Sequence, residues 1–163
     1  MSNSRIGRIT ALAAALLMAA GGAVPAVAAK PDGLKSFAGS WSGGGTVRMS
    51  NGTTQKIKCR GSVSAGGSSA RQQITCASTN LRLSISSNIS VSGSSLRGTL
   101  RESVQGFTAG LSGSTTGNGF HVSLSGRNTS ASGSISGSAR SMSISISVTG
   151  KTIASVQVSL SKR

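Results

Sequence analysis

The chain has 163 residues, of which 23 are glycine and none tyrosine, with 17 Lys and Arg against two acids and a net charge of +15. One histidine and two acids leave little for acid–base or nucleophilic catalysis, and too few ligands for a zinc site. The expectation is a protein that is not an enzyme, needs no cofactor or metal, and attracts anionic partners.

Residues 1–29 read as an export signal. Arg5 and Arg8 give a positive start, residues 9–24 are rich in Ala and Leu, and Ala26-Val27-Ala28 is a small-residue cleavage pattern. Gly21, Gly22 and Pro25 shorten the apolar stretch below the roughly 20 residues a spanning helix needs. A mature domain over 30–163 would keep 15 basic residues against Asp32 and Glu102, a charge of +13. That length suits one domain, and the signal implies a periplasmic or secreted bacterial protein.

Ten short segments follow: 41–49, 56–65, 71–76, 81–91, 96–104, 107–113, 120–126, 131–137, 142–148 and 154–160. A Ser- and Gly-rich composition raises the possibility of disorder, but the apolar residues alternate too regularly for a linker. Leu81, Leu83, Ile85, Ile89 and Val91 share one parity while Arg82, Ser84, Ser86 and Ser90 hold the other, as in strands with one buried face and one wet face. A one-residue slip would turn a strand inside out, so parity constrains each loop. It predicts a three-residue loop over Asn51-Gly52-Thr53, with a bulge, and an odd loop around Lys151. Two-residue turns are predicted at Gly67-Ser68, Ser78-Thr79, Gly93-Ser94, Gln105-Gly106, Thr115-Thr116, Asn128-Thr129 and Ala139-Arg140. A meander with such short connections closes into an up-and-down antiparallel barrel, of ten strands or of eight if 131–137 is irregular.

Two cysteines in an exported chain suggest a disulfide. A turn at Gly67-Ser68 sets Cys59 opposite Cys76 on adjacent strands, with two free buried thiols as the alternative.

Gly39-Ser40-Trp41, at the start of the first strand, resembles the G-x-W of lipocalin and avidin barrels. The string from Trp41 through Gly43-Gly44-Gly45 to Val47, with Asn51-Gly52, Cys59 and Cys76-Ala77-Ser78, is similar to a group of small exported proteobacterial β-proteins over about residues 37–100. The resemblance implies an all-β, lipocalin/avidin-like barrel. The chain lacks the later acidic and Arg motifs of lipocalins and the aromatic ligand contacts of avidins, so neither ligand class carries over.

Few residues remain for chemistry. His121 alternates with Phe120 and Val122 and points outward, and Gly43-Gly44-Gly45 lacks the Lys-Ser/Thr of a phosphate loop. The glycines instead let the first strand bend against its neighbour. The sequon triplets at Asn51, Asn88 and Asn128 are common in a Ser-rich chain, and Asn51 and Asn128 read as turn residues. Glu102 is the exception, because it shares the parity of Leu96, Leu100 and Val104. The predicted registers place Trp41, Gln72 and Glu102 in one interior row as a candidate interior site, where an unpaired carboxylate would be costly. The alternative puts Glu102 at a wet rim.

The outward Lys56, Lys58, Arg60 and Arg71 form a candidate anion patch for acidic polysaccharide, lipopolysaccharide or nucleic acid, unless they only keep the barrel soluble. A Ser, Thr, Lys and Arg exterior argues against an integral membrane barrel. The reading is an exported soluble barrel that binds anionic polymers. The alternatives are a periplasmic protease inhibitor acting through residues 30–35 and a carrier of a small apolar ligand, which would need a hollow interior. Oligomeric state stays open.

Overall fold

A computed structural model of the chain describes residues 33–150 and 152–163. The export signal, its cleavage point and Lys151 lie outside the described residues. All ten predicted segments form strands: β1 (Gly39–Met49), β2 (Thr54–Gly66), β3 (Ser69–Ala77), β4 (Arg82–Ser92), β5 (Ser95–Glu102), β6 (Phe107–Thr116), β7 (Gly119–Gly126), β8 (Ser130–Gly137), β9 (Ser141–Thr149) and β10 (Ile153–Lys162). Each pairs antiparallel with its sequence neighbour, and β10 returns to β1 to close a lipocalin-like barrel of ten strands. The eight-strand option falls because 130–137 is a regular strand paired on both sides.

Alternation holds around the whole wall. Val47, Ile57, Cys59, Ile74, Cys76, Leu83, Leu96, Leu111, Val122, Met142, Val158 and Leu160 are buried on one parity, while the hydroxyl-bearing and basic neighbours are exposed on the other. The cross-strand disulfide forms between Cys59 and Cys76, which pair directly. The two-residue turns at Gly67-Ser68, Gly93-Ser94 and Ala139-Arg140 stand where parity put them, with Gly67 and Gly93 both at φ +58°.

Other loops differ in place or length. The three-residue loop after β1 runs over Ser50-Asn51-Gly52, one residue earlier than predicted, because Met49 already bonds Thr53. The irregularity expected there lies instead on the β1–β10 side, between Arg48 and Met49. The β3–β4, β6–β7 and β7–β8 turns fall at Thr79-Asn80, Gly117-Asn118 and Arg127-Asn128, and the β5–β6 connection takes four residues, 103–106. Every shift moves a register by an even number, so the buried face is kept while the rows change.

One end of the barrel is sealed by a 3-10 turn, Lys35–Phe37. Leu34 and Phe37 are buried, contributing about 1.5–3 kcal/mol each relative to exposure. The Phe37 ring lies 5.4 Å from that of Phe120. Trp41 donates its indole N–H to the Phe37 carbonyl at 2.8 Å. Lys162, inward at the end of β10, sets Nζ 5.3 Å from the Trp41 ring and donates to the Ser36 carbonyl at 3.4 Å. The glycines of β1 permit close approach, as expected: a Cβ on Gly43 would collide with the Ser159 carbonyl oxygen, and one on Gly45 with that of Gln157.

Candidate functional site

The other end is open. Inward positions of β3 to β10 surround a cavity of about 480 Å³ whose mouth lies among Gln105, Asn128, Thr129, Gly150 and Thr152. A ten-stranded barrel encloses more space than short side chains fill. Here the interior carries Ile, Val and Leu with Gly98, Gly113 and Gly133 between them, so a hollow remains.

The cavity has two kinds of wall. Leu111, Phe120, Val122, Leu124, Ile144 and Ile146, from β6, β7 and β9, are wholly apolar. On the facing side β3, β4 and β5 present Gln72, Ser87 and Glu102 among aliphatic neighbours.

Glu102 is only 6% exposed, so it lies inside and not at a wet rim. Its Oε1 accepts from the backbone N–H of Ser84 and of Val104, each at 3.0 Å, and Oε2 accepts from that of Gln105 at 2.6 Å. Ladder pairing between β4 and β5 ends at Ile85 and Glu102. The Ser84 carbonyl still accepts from the Ser103 N–H, but the Ser84 N–H would be left without a strand partner where the chain departs. The carboxylate fills that place and ties down residues 104 and 105 of the following loop. The parity of Glu102 is thus that of a buried side chain, with the cost of burial offset by three donors.

The predicted row keeps Trp41 and Glu102 but loses Gln72. Trp41 aligns through Gly61, Ile74 and Ile85 with Glu102, whereas Gln72 pairs with Val63 and Ser87 one inward position away. Two register changes of two residues are the cause: the one at the β1–β2 loop separates Gln72 from Trp41, and the one at the β3–β4 turn separates it from Glu102. Gln72 and Glu102 both line the cavity, while Trp41 is outside its lining, packed at the sealed end. Ser87, which sequence reasoning missed among many serines, is 4% exposed and sits directly across from Gln72. Its inward parity, shared with Ile85 and Ile89, was the available signal.

On the exterior, Lys56, Lys58 and Arg60 follow one another at every second residue of β2 and are exposed. Arg71 does not join them. It lies four residues along β3 from Thr75, the partner of Arg60, roughly 13 Å at strand rise, and donates through Nε to Asn88 Oδ1 at 3.0 Å. Arg48 and Arg82 stand closer: Arg48 is two residues from Thr46, the partner of Lys56, and Arg82 is one strand beyond Lys58 through Ala77. The exposed cations of the strands, Arg48, Lys56, Lys58, Arg60, Arg71, Arg82, Arg97 and Arg101, all belong to β1–β5. The outward faces of β6–β10 carry Ser, Thr, Gln and Gly, with His121 the one titratable group there. Among the described residues no helix is long and apolar enough to cross a membrane.

No protein-family model matches the chain, and no curated protein matches it in sequence. Solved structures do match in shape. Rv2717c from M. tuberculosis superposes with a TM-score of 0.66 at 14% identity, over 80% of this chain and 94% of that one. The S-type phycobiliprotein lyase CPES from Guillardia theta superposes with a TM-score of 0.61 at 9% identity, over 80% of this chain and 89% of that one. At these identities the likeness shows a shared fold. It also corrects one expectation from composition: a lyase is built on this same barrel, so the shortage of acid–base side chains is no ground for ruling out an enzyme.

Proposed function

We propose that the barrel takes up a small, mostly apolar molecule through its open end. The observation that carries this reading is the hollow of about 480 Å³, within the roughly 300–1,000 Å³ usual for small-molecule sites. Its aliphatic wall supplies non-directional burial, and the few polar groups opposite supply orientation. The disulfide and the leader-like first residues support a periplasmic or secreted setting for this uptake. The test is titration of the folded protein with N-phenyl-1-naphthylamine, an uncharged apolar fluorophore. Saturable enhancement at one probe per chain is expected, reduced when Ala131→Phe and Leu124→Phe fill the cavity. A folded wild-type protein that leaves the probe's fluorescence unchanged would sink the reading.

A second reading concerns the exterior, and the confinement of exposed strand cations to β1–β5 favours it. That half of the wall suits acidic polysaccharide, lipopolysaccharide or nucleic acid, with binding that weakens steeply in salt. Charge reversal at Lys56, Lys58 and Arg60 should lower the salt concentration that elutes the protein from heparin. Unchanged elution would refute it.

A further inference from the structure

Gln72 and Ser87 are directly paired across β3 and β4, and both face the cavity. Side chains in such a pair start about 5 Å apart, close enough to address one small group together. Among the described residues neither the Gln72 carboxamide nor the Ser87 hydroxyl has a hydrogen-bond partner. Among the described residues no side-chain polar atom sealed from solvent lacks a partner, so the Ser87 hydroxyl is open to the cavity although the residue is 4% exposed. Polar groups at this depth ordinarily have a partner in the protein or in ordered water. Here they are left to whatever fills the space.

We infer that Gln72 and Ser87 anchor one uncharged hydrogen-bonding group, a carboxamide or its equivalent, on the otherwise apolar ligand. This rests on the reading of the cavity as a ligand site. The carboxamide of Gln72 donates and accepts, and the hydroxyl of Ser87 does either, so together they match a group that also does both. A ligand without such a group would leave the pair dehydrated and unbonded, which disfavours it.

Charge selects in the same direction. Ser87 pairs with Leu100, two residues from Glu102 along β5, and among the described residues no Lys or Arg lines the cavity. An anionic head held by Gln72 and Ser87 would meet the carboxylate, with no cation among the described lining residues to offset it. A cationic head would find three of the carboxylate's roughly four acceptor sites already taken by backbone N–H groups, so it would lose hydration without gaining a full set of hydrogen bonds.

The experiment measures displacement of N-phenyl-1-naphthylamine by decanamide, decanoate and decylamine from the wild-type protein, Gln72→Met and Ser87→Ala. In wild type, decanamide should displace the probe at about tenfold lower concentration than decanoate or decylamine, despite the protein's positive charge. Each substitution should weaken decanamide about three- to tenfold, the range for losing one hydrogen bond, while probe affinity stays within about twofold. Equal displacement by the three compounds in wild type, or decanamide unaffected by both substitutions, would overturn the anchor and leave the cavity reading standing. Failure of folded wild-type protein to bind the probe would overturn both. Because neither side chain has a protein partner to lose, both variants should melt within about 2 °C of wild type, and the wild-type comparison alone still decides the selectivity.

Discussion

Replacing Glu102 with alanine should cost about 2–5 kcal/mol of stability. The carboxylate accepts from three backbone N–H groups, and their surroundings set the size of the loss. Val104 and Gln105 are exposed, so their N–H groups turn to water and each loses about 0.5–1 kcal/mol net. Ser84 is half-buried within β4, and its N–H has no other acceptor once the strand pairing has ended, which adds about 1–3 kcal/mol. Glu102→Gln keeps one acceptor oxygen but turns an amide NH₂ toward at least one donor, so it should cost about half as much.

Urea unfolding under oxidising conditions measures both variants. With a slope of about 2 kcal/mol/M, the middle of the usual urea range, the midpoint for Glu102→Ala should fall by about 1–2.5 M at unchanged slope. Cleavage within 103–106 by a non-specific protease should accelerate, because the loop loses its tie to β4. A loss under about 0.5 kcal/mol for Glu102→Ala would show that the three bonds do not hold the loop. If instead Glu102→Gln left stability untouched and changed uptake of N-phenyl-1-naphthylamine, the residue would belong to ligand binding and not to the frame.

Removing the Cys59–Cys76 bond, which joins residues 17 apart, should cost about 3 kcal/mol by the loop-entropy estimate, read as the difference between urea midpoints of wild type and Cys59→Ala/Cys76→Ala. Gly45→Ala should cost about 2–4 kcal/mol, because its Cβ would also lie 2.7 Å from the Val158 Cα and force β1 from β10. The outward Gly110→Ala, with only the Ser125 carbonyl oxygen at 3.8 Å, should change the melting temperature little, and equal effects would contradict the packing of the β1–β10 seam. Trp41→Phe removes the 2.8 Å bond to Phe37 and weakens the contact with Lys162. A loss of about 1–3 kcal/mol is expected, with faster amide exchange at 34–38, and unchanged exchange there would mean the turn seals itself.

The barrel was legible because alternation depends only on whether a residue is odd or even along its strand. Parity therefore placed Ile74, Ile85 and Glu102 inside and Lys56, Lys58 and Arg60 outside without knowledge of any register. It constrains a loop only to odd or even length and position. The β1–β2 loop could slide from Asn51-Gly52-Thr53 to Ser50-Asn51-Gly52 and the β3–β4 turn from Ser78-Thr79 to Thr79-Asn80 without exposing an apolar side chain. Those slides changed which inward residues are neighbours, moving Gln72 out of the expected Trp41–Gln72–Glu102 row and into a pair with Ser87. The hollow was not legible, since it follows from a ten-strand circumference set against the summed bulk of many small inward side chains.

The two halves of the chain differ in the same way inside and out. β1–β5 carry the exposed strand cations outside, and β3–β5 place Gln72, Ser87 and Glu102 inside. β6–β10 show hydroxyls outside and line the cavity with aliphatic and aromatic side chains. A molecule entering the mouth therefore meets hydrogen-bonding groups on one flank and hydrocarbon on the other. That arrangement fixes how the molecule lies as well as whether it binds, because only one edge can reach Gln72 and Ser87 while its remaining surface rests against β6, β7 and β9.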